Sequence, residues 1–225
     1  ISYYDLTHEN LKFAWRDANG NWHTVTVDDS PGRVGTYTGL IVLPSGQPAI
    51  SYCDETNGRL RFAWHEVDYD FAQKQNWHIT AVDSNLPVYC SSLTVVRGQP
   101  AISYHDNAHG GLLKFAWHDG NDFADLSSWH NTVVDNSANA GDWTSIAAFP
   151  ANHSRLPGQP AIAYRADPED LKYAWHEGDD LSTGWHTVTV DAEGVAGWGA
   201  SLGILPLDRM GYSFDGMGNT SDGTS

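Results

Sequence analysis

Short runs of β-branched, aromatic and other apolar residues alternate with polar ones along this chain, and Gly, Pro, Asn and Asp interrupt them at close intervals. One stretch sets the pattern. Tyr37-Thr38-Gly39-Leu40-Ile41-Val42-Leu43 leads into the turn Pro44-Ser45-Gly46-Gln47-Pro48, and Ala49-Ile50-Ser51-Tyr52 follows, ending at Cys53-Asp54. Leu60-Arg61-Phe62-Ala63-Trp64-His65 and Trp77-His78-Ile79-Thr80-Ala81-Val82-Asp83 complete the set. These predict four strands, designated a to d, in an up-and-down antiparallel meander. No stretch carries a helical period.

The meander repeats. Units matching Ile50-Ser51-Tyr52 open at Ile1, Ile102 and Ile162, a spacing of about fifty residues. Each keeps an aromatic c strand (Phe13-Ala14-Trp15, Phe62-Ala63-Trp64, Phe115-Ala116-Trp117, Tyr173-Ala174-Trp175) and a Trp-His pair opening strand d (Trp22-His23, Trp77-His78, Trp129-His130, Trp185-His186). The Gly-Gln-Pro-Ala turn recurs at Gly46, Gly98 and Gly158. A lone four-stranded sheet leaves both faces exposed, so such units stack face to face. The expected fold is therefore all-β: one β-propeller domain over residues 1–225, with repeats near 1–49, 50–101, 102–161 and 162–210 and a partial unit at 211–225. The chain opens at strand b, and Trp198–Leu205 matches strand a. A C-terminal strand completing the first sheet would close four blades and remove free edges. Met210–Asp215 resembles a further strand b, which leaves five blades as the alternative.

Charge narrows the partners. A formal net charge of −16 repels phosphate backbones and anionic lipid, so no nucleic acid is expected as a partner. No apolar run is long enough to span a membrane, so no membrane insertion is expected either. Asn152-His153-Ser154 and Asn219-Thr220-Ser221 are glycosylation sequons, at Asn152 and Asn219.

Antiparallel order sorts the connections onto two rims. The d–a and b–c connections share one, which gathers Tyr37, Tyr89, Trp143 and Trp198 from the starts of strands a. It also gathers Tyr4, Asp5, Asp54, His105, Asp106 and Arg165 from the ends of strands b. Aromatic faces beside charged groups suit sugars: the ring stacks on pyranose C–H groups and the charges bind hydroxyls. The recurring Trp residues read instead as packing between sheets. The His residues beside them are expected to pair with carbonyls or carboxylates, since symmetric spacing holds equivalent residues too far apart to ligate one metal. Cys53 and Cys90 fall on the same rim in adjacent units, where a disulfide is expected, implying an oxidising compartment; two buried thiols are the alternative. No metal or other cofactor is expected, and calcium on the acidic loops is left open, without EF-hand spacing.

The pattern Ile-Ser-Tyr-Tyr-Asp, Leu-Lys-Phe-Ala-Trp, Trp-x-x-x-Thr-Val-Asp, Gly-Gln-Pro-Ala-Ile-Ser-Tyr resembles the β-propeller repeats of secreted proteins described as sialidase-like or lectin-like. The resemblance spans nearly the whole chain and implies the propeller fold and an extracellular location. The chain lacks the Ser-x-Asp-x-Gly-x-x-Trp boxes and clustered arginines of sialidases, so sialidase activity is not implied. The leading expectation is a carbohydrate-binding module whose partners are glycans or glycoproteins. A protein-interaction scaffold is the second, and a lyase or glycosidase using His105, rim Tyr and the carboxylates Asp5, Asp54 and Asp106 is the third.

Overall fold

The computed structural model describes residues 1–66, 70–84, 87–194 and 196–204, and its fifteen strands form four antiparallel meanders. The first sheet has three strands, β1 (Ser2–Asp5), β2 (Asn10–Arg16) and β3 (Trp22–Asp28). The second has four: β4 (Val34–Val42), β5 (Pro48–Asp54), β6 (Arg59–His65) and β7 (Trp77–Ser84). The third comprises β8 (Val88–Val96), β9 (Gln99–Asp106), β10 (Leu112–His118) and β11 (Trp129–Asp135). The fourth comprises β12 (Asp142–Ala148), β13 (Pro160–Ala166), β14 (Asp170–His176) and β15 (Trp185–Asp191). Within each sheet the strands pair in chain order, as short turns dictate.

The sheets pack in sequence. β1 lies on β4, β4 on β8 and β8 on β12, so the first strand of each sheet sits at the inner edge. Every residue of β5 is buried, because this strand is covered on both faces.

Three seams join the sheets, and each is built the same way. Phe13, Phe62 and Phe115 of one sheet meet Trp77, Trp129 and Trp185 of the next at 5.1, 5.1 and 4.9 Å between ring centroids. Deeper in each seam, the carboxylate near the end of strand d accepts a hydrogen bond from a buried tyrosine of the following sheet. Tyr52 donates to Asp28 at 2.7 Å, Tyr104 to Asp83 at 2.6 Å and Tyr164 to Asp135 at 2.6 Å. A cation from the following c strand completes each group: Arg61 at 2.8 Å from Asp28, Lys114 at 3.1 Å from Asp83 and Lys172 at 2.6 Å from Asp135. A buried carboxylate is tolerable only when paired and hydrogen-bonded in this way.

The two ends of the array carry unmatched halves of this seam. Trp22, equivalent to the seam tryptophans, is 60% exposed, and Asp191, equivalent to Asp28, Asp83 and Asp135, is exposed as well. Tyr173 and Trp175 line an open pocket with Phe149, Leu156 and Val188 where the other sheets meet a neighbour. No extended strand contact joins the first and fourth sheets among the described residues. Residues 197–204 run against β12, where the Leu202 N–H donates to Ser145 Oγ at 3.0 Å as the Ile146 N–H donates to Ser92 Oγ at 3.2 Å one sheet earlier. That segment holds the place of a following strand a, but it forms no ladder with β1. Met210–Asp215 lies outside the described residues.

The seam fixes an acid sensitivity. Burial pushes the Asp135 carboxyl up, but hydrogen bonds from Lys172, Tyr164 and Ser137 outweigh it and bring it down to about 2. A carboxyl lowered by folding gives its full stabilisation above its ordinary value and loses it as the pH falls toward its folded value. Melting curves between pH 7 and 2 are expected to show stability falling below about pH 5, with a shallower fall in Asp135→Asn. Tyr164→Phe should lower the unfolding free energy by about 1–2 kcal/mol in urea titrations at neutral pH. A neutral outcome would mean that the seam hydrogen bond does not hold the sheets.

Candidate functional site

The rim formed by the d–a and b–c connections is zipped by backbone hydrogen bonds between neighbouring sheets. The Val34 N–H donates to Glu9 O and the Ala140 N–H to Gly111 O, and in the segment after the fourth sheet the Ala196 N–H donates likewise to Glu169 O. Glycine makes this approach possible. A Cβ on Gly35 would lie 2.6 Å from Leu11 Cα, and one on Gly141 would lie 2.9 Å from Leu113 Cα. The chain then turns through a left-handed residue (Tyr37, Cys90 or Trp143, with φ of 53°, 50° and 51°) before the regular ladder begins. This kink aims the start of each strand a toward the inner edge of the rim.

At one register position along strand b stand Tyr4, Cys53, His105 and Arg165, each opposite a leucine of strand c. Facing the last three across the a–b ladder are Thr36, Tyr89 and Asp142. Arg165 is the best-connected group. Its Nη1 donates to Asp142 Oδ2 at 3.0 Å and its Nη2 to Glu169 Oε1 at 2.8 Å, while its guanidinium carbon lies 4.7 Å from the centroid of the Trp198 ring. Trp143 packs beside Trp198 at 5.6 Å and Tyr37 edges onto Tyr89 at 6.1 Å. Trp198 is 59% exposed and Tyr37 40%, so aromatic surface remains open to solvent. Across the rim, Arg33 bridges to Glu55 at 2.8 Å and sits over the Tyr4 ring at 5.9 Å.

Polar capacity is left over beneath these rings. Thr36 Oγ1, His105 Nε2 and Arg165 Nε are buried without a hydrogen-bond partner among the described residues. Each such group costs about 1–3 kcal/mol, and native proteins keep few of them. Burial pulls the His105 imidazole below its ordinary value, against the opposing pull of Asp142 and Asp106, so at neutral pH the ring is uncharged. The rim thus combines exposed aromatic faces, the cations Arg165 and Arg33, acidic acceptors and buried polar atoms without partners among the described residues.

The structure brings Tyr4, Tyr37, Tyr89, His105, Trp143, Arg165 and Trp198 to this one rim, but not with the expected equivalence. Tyr37 and Trp143 share the left-handed position with Cys90, whereas Tyr89 and Trp198 stand one residue earlier, at the position of Thr36 and Asp142. Counting from aromatics hides this offset, because the third sheet reads Val88-Tyr89 where the others insert a glycine, as in Val34-Gly35-Thr36. Asp5, Asp54 and Asp106 cap the b–c turns: they accept from the Thr7, Asn57 and Ala108 N–H groups and pair with Lys12, Arg61 and Lys114. Asp142, Glu169, Thr36 and Arg33 joined the site without having been anticipated. The position directly before the conspicuous Trp143 was the available signal for Asp142.

The expected disulfide is absent. Cys53 and Cys90 are both buried free thiols. Cys90 takes the left-handed position, and its Sγ donates to Asp142 Oδ1 at 3.4 Å rather than meeting Cys53. Burial pushes the Cys90 thiol up to about 12 and raises Cys53 as well. The thiols therefore give no argument for an oxidising compartment. The repeated histidines pair as expected: His23 with Asp17 at 2.9 Å, His78 with Glu66 at 2.7 Å and His130 with Asp119 at 2.8 Å. Those closing strand c contact loop carbonyls, His118 Nε2 with Asp122 O at 3.1 Å and His176 Nε2 with Asp180 O at 2.9 Å. Among the described residues no cluster of three or more His, Cys, Asp or Glu is gathered for a metal. Asn152 is exposed in the β12–β13 connection, and Asn219 lies outside the described residues.

No protein-family model matches the sequence, and no curated protein matches it either.

The thiol assignment is open to a direct check. The native protein is expected to resist a maleimide at pH 8, and the denatured, unreduced protein should take up two equivalents. Uptake of none after denaturation would restore the disulfide.

Proposed function

We propose that the four meanders are blades of a β-propeller and that the Trp198–Arg165 rim is the carbohydrate-binding site of a secreted, lectin-like module. The observation that carries this reading is the exposed Trp198 ring over the Arg165 guanidinium, whose buried Nε has no partner among the described residues. A pyranose stacked on such a ring presents C–H groups to the aromatic face and hydroxyls to the surrounding charges. Convergent polar groups at an apolar-floored rim are the ordinary form of a small-ligand site. The blade reading is supported by three seams of one construction and by the complementary half-seams at the two ends. A closed ring would bring an Asp191-type end onto a Tyr3–Lys12-type end. Whether four or five blades close that ring belongs to this proposal too.

The glycosidase alternative draws less support. Asp5, Asp54 and Asp106 each serve a turn N–H and a cation, and Asp54 and Asp106 are fully buried, which leaves no free carboxylate pair at that position.

A glycan array probed with and without calcium tests the proposal. Binding to a family of saccharides is expected, with Trp198→Ala weakening it by about five- to tenfold, as loss of a stacking ring of roughly 1–1.5 kcal/mol requires. Silence of the wild-type protein in both buffers would contradict it, and so would hits indifferent to Trp198→Ala.

A further inference from the structure

The opposite rim, formed by the a–b and c–d connections, is plugged at two seams and open at the third. In every seam the indole N–H of the first residue of strand d donates to a carbonyl of its own c–d loop: Trp77 to Phe71 O at 3.3 Å, Trp129 to Phe123 O at 3.0 Å and Trp185 to Leu181 O at 3.1 Å. That shared bond makes Phe71, Phe123 and Leu181 equivalent. Phe71 stands edge-on to Phe13 and Trp15 at 5.7 and 5.8 Å, and Phe123 to Phe62 and Trp64 at 5.5 and 5.6 Å. Leu181 brings no ring to Trp117. The matching space measures about 250 Å³ at the second seam, where Phe123 lines it, and about 960 Å³ at the third. A Phe-to-Leu difference, on a c–d loop two residues shorter than that of the third sheet, separates a plug from a pocket.

The pocket's lining has a definite chemistry. Its apolar surfaces are Val96, Leu181 and the Trp117 indole, and Asp119, Asp179 and Asp180 stand around them; the Trp129 ring is turned away into the second seam. Hydrogen bonds from Ser182 hold the Asp180 carboxyl below its ordinary range, so it is ionised at neutral pH. Burial draws the His118 imidazole down, so that ring is neutral. Arg97 is turned to acceptors of the fourth sheet: Nη1 donates to Asp179 O at 2.5 Å, and Nη2 to Gly178 O at 2.7 Å and Gln159 Oε1 at 3.1 Å. The volume suits two or three sugar rings. An indole face flanked by carboxylates attracts an ammonium group both through the ring quadrupole and by charge.

We propose that this cavity between the third and fourth sheets is a second saccharide site, selective for sugars with a protonated amino group such as glucosamine oligomers. It rests on the carbohydrate-binding reading above, but it uses none of the rim residues of that reading.

Calorimetric titration with the glucosamine trimer and with its fully N-acetylated counterpart tests it, on the wild type, Leu181→Phe and Trp198→Ala. The charged trimer should bind about tenfold tighter than the acetylated one, consistent with a desolvated cation–π contact. Leu181→Phe should weaken the charged trimer by about tenfold or more while melting near the wild type, and Trp198→Ala should leave this affinity unchanged. Equal affinity for the two trimers, indifference to Leu181→Phe, loss in Trp198→Ala or no binding would each overturn the proposal. Array hits that ignore Trp198→Ala would sink the rim reading and leave this one standing.

Discussion

The array depends on a buried carboxylate that no single sheet can satisfy. Asp28, Asp83 and Asp135 each stand near the end of a strand d, largely shielded from water, and each takes its tyrosine donor and its cation from the following sheet. Isolated, each charge would carry the full penalty of desolvation. The aromatic seam of Phe and Trp beside it supplies non-directional burial, and the Tyr–Asp–cation group fixes how one sheet sits on the next. Apolar packing alone tolerates sliding; a hydrogen-bonded carboxylate at 2.6–2.7 Å does not.

Variation then collects where the seam does not reach. At the rim of the d–a and b–c connections, the inner rim, the strands bend through left-handed residues, and the equivalent positions diverge from sheet to sheet: Tyr4, Cys53, His105, Arg165 on strand b, Thr36, Tyr89, Asp142 facing the last three. The repeat is strict where sheets must match and free at the rim, even where the diverging side chains are buried. The opposite rim, formed by the a–b and c–d connections, obeys the same division. Trp129 and Trp185 are held by the same loop carbonyl bond, while the residue supplying it changes from Phe123 to Leu181 and opens a cavity.

Much of this was legible in the chain. The c and d strands expected at Leu60–His65 and Trp77–Asp83 are found at Arg59–His65 and Trp77–Ser84, because aromatic alternation marks strands with both faces packed. Strand a starts at Val34 rather than Tyr37, since the ladder continues past the bulge and glycine that break the alternation. The one-residue offset of Tyr89 and Trp198 was hidden for the same reason. The seam carboxylates recur at the end of every strand d, but nothing local shows their role: Asp83 meets Tyr104 and Lys114 only after the next sheet has folded onto it. The cysteines were placed on the correct rim, but pairing depends on side-chain direction, which the left-handed conformation of Cys90 turns toward Asp142.

The central claim is that the inner rim takes a saccharide while the seams stay fixed. Indole and imidazole resonances followed during titration with an array-selected glycan test it most directly. The account predicts shifts at the Trp143 and Trp198 indoles and at His105, with the seam residues Trp77, Trp129 and Trp185 unmoved. Saturating binding that leaves Trp198 and His105 silent, or that moves the seam tryptophans instead, would contradict it.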